Sequence, residues 1–219
     1  SPRRGEKHMR IAVVSANGRV GRLVVHEAVA RGHEVTAVVR AESKTEATAV
    51  IQKDLFDLEA SDLADFDVVV DAFGAWQEET LSQHSASLAH LCDVLSGTPV
   101  RLLVVGGAGS LYTDRAHTRH LMDNADFPAS FLPLASAMGK SLDELRKRSD
   151  VRWTYLSPAA DFQAEGERTG SYVLAGEELA NNERGESVIS YADFAIAMVD
   201  EAERTDGSHV GKRISVVRA

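Results

Sequence analysis

Only one cysteine, Cys92, occurs in the 219 residues. A lone thiol closes no internal disulfide and builds no structural zinc site by itself, so the chain reads as suited to a reducing compartment. Long apolar runs are missing as well. None approaches the ~18 residues a membrane helix needs, and no charged segment leads into an apolar stretch of the kind that opens a secretory signal. A cytoplasmic protein without a membrane partner is expected. Basic charge is scarce: 24 lysines and arginines stand against 33 acidic residues, a net charge of −9. A nucleic-acid surface would lean the other way, so no nucleic-acid partner is expected. No low-complexity linker and no repeat at a solenoid period divides the chain, which leaves one large domain as the economical reading.

What is present is an ordinary globular composition, 44% hydrophobic and 26% charged, enough for a sizeable core. Ser1 to His8 are polar, basic and unpatterned, and are read as an appended tail before a domain spanning 9–219. From Met9 onward, short β-branched runs alternate with segments of helical spacing. The runs are Ile11–Val14, Val35–Val39, Ala49–Ile51, Val68–Val70, Leu102–Val105, Trp153–Leu156 and Ile214–Val217. Continuous apolar strands separated by helices imply a parallel sheet covered on both faces, hence an α/β fold of doubly wound type. Leu23, Val24, Ala28 and Val29 share a helical face, with Gly32 placed as a left-handed C-cap. Further helices are expected at about Leu81 to Leu95, from Pro133 to Ser149, and from Ser190 to Glu203, the last opened by a capping-box-like Ser190 and Asp193. The stretches Gly106–Ala129 and Pro158–Arg184 are the least regular, and functional loops are expected to be of this kind.

The first strand runs through Ser15-Ala-Asn-Gly18-Arg-Val-Gly21 directly into the first helix. A dinucleotide-binding turn needs small residues there, because a pyrophosphate must approach backbone N–H groups at a helix N-terminus, where the peptide dipoles favour an anion. Gly18 would permit that approach, and Gly21 would let helix and sheet pack closely. Two glycines alone say little, but the preceding strand, the following helix and a second strand about 20 residues on strengthen the motif.

Ile11-Ala-Val-Val-Ser-Ala-Asn-Gly-Arg-Val-Gly21 and Gly32-His-Glu-Val-Thr-Ala-Val-Val-Arg40 resemble the opening of the atypical short-chain dehydrogenase/reductases, in particular the small NAD(P)H-binding group of NADH-flavin reductase type. Val70-Asp-Ala-Phe-Gly74, Leu103-Val-Val-Gly-Gly-Ala-Gly-Ser110, Ser157-Pro-Ala-Ala160, Gly166-Glu-Arg-Thr-Gly170 and Ile189-Ser-Tyr-Ala-Asp193 extend the resemblance over nearly the whole chain. It implies a Rossmann fold with a nicotinamide dinucleotide across the carboxyl ends of the strands. The implied contacts are Ser15, Asn17, Gly18, Arg19 and Val20 in the first turn, Asp54 and Leu55 beside the adenine, Ala72, Phe73 and Gly74 after the fourth strand, and Pro158 over the nicotinamide. Arg40 ends the second strand where an NAD-preferring fold places an acid, and a cation there suits the 2′-phosphate of NADP, with Lys44 as a second contact. Ser15 departs from the family, which has glycine there, and the turn is expected to do without a left-handed residue.

Carbonyl reduction in typical short-chain dehydrogenases uses Tyr-x-x-x-Lys, the lysine lowering the tyrosine pKa so that it acts as an acid. The corresponding helix reads Ser136-Ala-Met-Gly-Lys140. Without the tyrosine an epimerase or dehydratase is disfavoured, although some relatives carry that label. Hydride transfer to a free flavin or a quinone-like acceptor asks less of the protein, chiefly stacking, positioning and a few donors. Ser110 and Lys140 are the candidate catalytic residues, and Phe162, Trp76 and Tyr112 candidate stacking surfaces, each equally able to serve packing or solvation. No metal site is expected: His117 and His120 could share a helix face, but no third ligand accompanies them. The competing reading is a non-catalytic NADP-binding redox sensor, and the chain is expected to be a monomer or homodimer.

Overall fold

The computed structural model describes residues 8–219, so the proposed tail, apart from His8, lies outside the described residues. Eight strands form one sheet in the order β3-β2-β1-β4-β5-β6-β10-β8. These are β1 (Arg10–Val14), β2 (Glu34–Val39), β3 (Ala49–Gln52), β4 (Val68–Asp71), β5 (Arg101–Val105), β6 (Arg152–Ser157), β8 (Tyr172–Ala175) and β10 (Lys212–Arg218). All neighbours pair parallel except β8, which runs antiparallel to β10. A separate parallel pair joins β7 (Asp161–Gln163) to β9 (Val188–Ser190). The helices are α1 (Arg19–Ala30), α2 (Ala60–Leu63), α3 (Gln83–Leu95), α4 (Leu132–Leu145) and α5 (Tyr191–Glu203). The fold is thus the expected Rossmann-like α/β architecture with a mostly parallel sheet.

Period-two alternation sorts each apolar strand between two cores. Ile11, Val13, Val68, Val70 and Leu103 face one side with Val24, Val25 and Ala28 of α1 and Phe194 and Met198 of α5. Ala12, Val14, Val69, Leu102 and Tyr155 face the other with Leu88 and Leu91 of α3 and Leu142 and Leu145 of α4. Within 11–14, 68–70 and 102–104 neither face is polar, which is why these runs read as unbroken hydrophobic segments.

The local signals hold at several termini. Gly32 has φ +84°, its N–H donates to Val29 O (2.9 Å), and that of His33 donates to Ala28 O (3.2 Å), the paired bonds of a Schellman ending. Ser190 caps α5, its hydroxyl accepting from the Asp193 N–H at 3.0 Å. Asp193 does not complete the capping box. Its buried carboxylate instead accepts from Thr169 N (3.0 Å), Thr169 Oγ1 (2.6 Å) and Gly170 N (3.0 Å), tying a distant loop to the helix. The helix expected to reach Ser149 ends at Leu145. Strands β7, β8 and β9 were not legible. β8 is an edge strand with Val173 and Leu174 both exposed, so no burial alternation marks it, and its pairing with β10 is non-local.

The entry to α1 corrects one expectation. Ser15 does adopt the left-handed conformation, at φ +59°, in place of the family's glycine. That geometry costs a side-chain-bearing residue roughly 1–2 kcal/mol, and the turn is held by Ser15 N–H to Val38 O (3.0 Å) and Gly18 N–H to Ser15 O (3.2 Å). Gly21 meets a harder limit: a Cβ there would lie 2.8 Å from Ser15 O and 2.9 Å from the Ala16 Cα, both backbone. At Gly18 the nearest atom would be Ser15 O at 3.5 Å, an ordinary contact, and its φ is −68°. Gly21→Ala should therefore cost about 3 kcal/mol or more in denaturant unfolding, and Gly18→Ala about 1 kcal/mol or less. Similar losses at both positions would refute the close helix–sheet approach at Gly21.

Candidate functional site

The sheet order reverses between β1 and β4. The connection leaving β1 forms α1 on one face, and the one leaving β4 leads to α3 on the other, so a crevice opens outside their carboxyl ends. At its β1 side, Gly18 is the N-cap of α1 without a side-chain cap, and no acidic residue stands in the first turn. The N–H groups of Arg19, Val20 and Gly21 have no partner within the helix. Arg19 pairs with Glu165 and lies 5.9 Å from the centroid of the Tyr191 ring. Val20 packs half-buried against the core. Asn17 turns away from the helix end. Its amide donates to Glu42 O (3.0 Å) and its carbonyl accepts from Lys44 N (2.7 Å), pinning the loop after β2 beside the first turn. Arg40 and Lys44 sit on that loop. Arg40 is exposed and makes no hydrogen bond or ion pair with another described residue. Asp54 spends one carboxylate oxygen on the Phe56 N–H at 2.9 Å, and the Leu55 side chain is buried, so only its backbone faces outward chemistry.

At the other side of the crevice, Ala72 N–H donates to Val14 O at 3.1 Å and Phe73 N–H to the Asp71 carboxylate at 3.0 Å. Trp76, 73% exposed, lies against Gly74, where a Cβ would come within 2.8 Å of the indole. The Tyr155 ring fills the space beside Gly106, and its hydroxyl accepts the Gly107 N–H at 3.1 Å. Ser110 is buried: its hydroxyl accepts from the Arg213 guanidinium (2.9 Å), and its carbonyl accepts from Arg213 (2.9 Å) and His120 (2.8 Å). Lys140 and Ser136 are both exposed on α4. Pro158 is buried after β6. Phe162 packs on Tyr191 (4.2 Å) and Phe194 (5.0 Å) and fills core. His117 and His120 share no helix face: they stack on Tyr112 at 4.4 and 4.7 Å within a loop. Cys92 is buried, its thiol pushed up to about 12 by desolvation.

Three residues at this edge were missed from sequence. Arg213, in β10, anchors Ser110, Ser157 (3.2 Å) and Glu177 (2.7 Å). Tyr155, within an apolar strand run, gives no sequence signal of the bond its hydroxyl makes. Asp71 carries a usable signal, a charge directly after an all-valine run, and in the structure all four residues of β4 are buried. The Asp71 carboxyl is buried and pushed up to about 6, chiefly by desolvation, with the Phe73 N–H acting in the opposite sense.

A left-handed turn, a close glycine, an uncapped helix end and a crevice at the strand-order reversal define a dinucleotide-binding α/β protein, and the residues present fit such a cofactor. The chain belongs to the NAD(P)H-binding family, whose sequence profile matches residues 15–204. It is 44% identical over 211 residues to the Bacillus subtilis (strain 168) "Uncharacterized protein YwnB", covering 95% of this chain and 98% of that one. A crystal structure from Streptococcus pneumoniae TIGR4, named a "putative NADH-flavin reductase", is 52% identical with a TM-score of 0.93, covering 96% of this chain and all of that one (100%). A Bacteroides thetaiotaomicron structure named a "putative epimerase" is 34% identical with a TM-score of 0.83, covering 97% and 98%. Among the described residues no helix is long and apolar enough to cross a membrane.

Because burial raises the Asp71 pKa above its ordinary 3.8 to about 6, the native state holds this proton where the unfolded chain has released it. The associated stability is complete below about pH 4 and is lost as the pH rises through about 6, on the order of 2–3 kcal/mol. Asp71→Asn should raise the melting temperature at pH 8 and scarcely alter it near pH 4. A gain of equal size at both pH values would contradict an ionised buried carboxyl.

Proposed function

We propose that the chain binds NADPH across the carboxyl ends of β1 and β4 and serves hydride transfer to a free flavin or a related planar acceptor such as a quinone. The observation that carries this reading is the uncapped, acid-free start of α1, reached over a glycine that tolerates a side chain sterically yet has none. When bound, the reduced nicotinamide supplies the hydride. The protein's own share is to bind and orient. The N–H groups at Arg19 and Val20 and the Arg19 guanidinium receive phosphate, with Glu165 giving way. Asn17 holds the Arg40 loop in place, and Arg40 engages a 2′-phosphate, the basis for preferring NADP over NAD. Asp54 and Leu55 border the adenine end, and Ala72, Phe73, Gly74 and Pro158 the nicotinamide end. Trp76, exposed beside that end, offers an aromatic face to a planar acceptor.

No side chain at the site repeats the tyrosine–lysine pair of carbonyl reduction, and the exposed Lys140 is left to the nicotinamide ribose. The Ser110 hydroxyl accepts from Arg213 and keeps its own proton to donate, but the side chain is buried, and that burial favours the second reading, a redox sensor that binds NADP without turning it over.

Gly18→Val should abolish the thermal shift given by NADP while leaving the melting temperature of the free protein nearly unchanged; a full shift would move the phosphate site away from this turn. Arg40→Ala should weaken NADP about tenfold, the low end for a charge-assisted bond because the site is exposed, and scarcely alter NAD. Equal losses would remove Arg40 from the ribose. Loss of nicotinamide absorbance should quicken with FMN, FAD, riboflavin or a quinone over buffer alone, and Lys140→Ala should slow it by about one power of ten. Tight NADPH binding with no acceleration by any acceptor would establish the sensor reading instead.

A further inference from the structure

Beneath the crevice, on the side of α3 and α4, a small pocket is lined by Asp71, Phe73, His84, Ser87, Met138, Ser141 and Tyr155, among others. It has room for on the order of one water molecule. Asp71 and Tyr155 belong to a single row of the sheet, since Asp71 pairs with Val104 and Val104 with Tyr155. Each fastens one turn at the carboxyl edge: Asp71 takes the Phe73 N–H after β4, and Tyr155 takes the Gly107 N–H after β5. Each also keeps one polar function unused among the described residues. The second Asp71 carboxyl oxygen accepts nothing, and the Tyr155 hydroxyl proton is donated to no protein atom, although both side chains are almost wholly buried. The second Asp71 oxygen is left to the pocket and is not sealed in the core, and a fold keeps a carboxyl in so buried a place where it gains something from it.

We propose that Asp71 is a positioning residue that links dinucleotide binding to the release of one proton, by fastening the Ala72–Gly74 turn more firmly as a carboxylate than as a carboxylic acid. The inference rests on the placement of the nicotinamide end against that turn. An amide N–H bound to a carboxylate is about twice as strong a bond as one to a neutral acceptor, so the ionised form holds the turn ready. Linkage is reciprocal: a dinucleotide that needs the ordered turn drives the proton from Asp71 to solvent. The groups facing Asp71 do not replace it in this role. From α3 come His84, whose pKa burial lowers against the opposing bond between its Nε2 and Ala75 O (2.9 Å), and the buried Cys92 thiol. From β6 comes Tyr155, whose pKa burial raises, with Arg213 and Arg146 acting on it from beyond. α4 contributes Met138 and Ser141, and β5 contributes Val104 and Val105, none of which titrates.

The test uses NADH, which has no 2′-phosphate to titrate in the same range. Its dissociation constant should rise about fivefold as the pH falls from about 8 to 5, a loss of about 1 kcal/mol. In Asp71→Asn, which keeps an acceptor for the Phe73 N–H, that dependence should vanish. In Asp71→Ala binding should be weak at every pH, and in His84→Gln the wild-type profile should persist. Calorimetry of NADH binding near pH 6 in buffers of different ionisation enthalpy should show proton release by the wild type and none by Asp71→Asn. An unchanged profile in Asp71→Asn, or a profile lost only in His84→Gln, overturns the inference while leaving the dinucleotide reading in place. A wild type that binds neither NADH nor NADPH overturns both.

Discussion

The approach of the first helix to the first strand is the constraint on which the crevice depends. Gly21 lies so close to the Ser15 and Ala16 backbone that no side chain fits, and Ser15 takes a left-handed conformation to send the chain into α1 at that distance. With the helix drawn in, its first N–H groups meet no capping side chain. Val24, Val25 and Ala28 then reach the core beside β1. Local strain at one residue is thus offset by helix–sheet burial that only the close approach permits.

The rest of the edge is ordered by buried polar side chains reaching across the sequence. Arg213 holds Ser110, Ser157 and Glu177 from the far side of the sheet. Asp193 secures the Thr169–Gly170 turn from the start of α5, and Asp71 and Tyr155 secure the turns after β4 and β5. These bonds replace regular secondary structure in the loops. Each buried group satisfied this way stiffens a segment that would otherwise have only solvent as a partner. Asp71 stands apart because half of its hydrogen-bonding capacity faces the pocket.

The family assignment and the fold agree with the chemistry the first turn allows, and the relatives divide between reductase and epimerase names. The helix of this chain has Ser136 where a carbonyl reductase of the usual mechanism would place tyrosine. That residue is the physical ground for the reading proposed above, because a serine hydroxyl is too weak an acid to take over proton donation, while positioning a planar acceptor needs no such group.

The seven parallel strands of the main sheet, their order of appearance, the main helices and the first turn were legible in the residues because each rests on local periodicity or on a backbone geometry that few residues allow. The Gly32 ending and the Ser190 cap followed from the same local rules. The sequence could not show that Ser15 would accept the left-handed geometry, since that depends on the Val38 carbonyl of another strand. Nor could it show that Ser110 is engaged by Arg213, 103 residues away. The Asp71–Tyr155 row was equally hidden, because register across three strands is set by pairing and not by spacing along one chain. Local periodicity is written in neighbouring residues and survives as a sequence pattern. Burial, hydrogen-bond partnership and the acidity of a side chain depend on what the rest of the chain brings beside it, and the tertiary structure alone decides that.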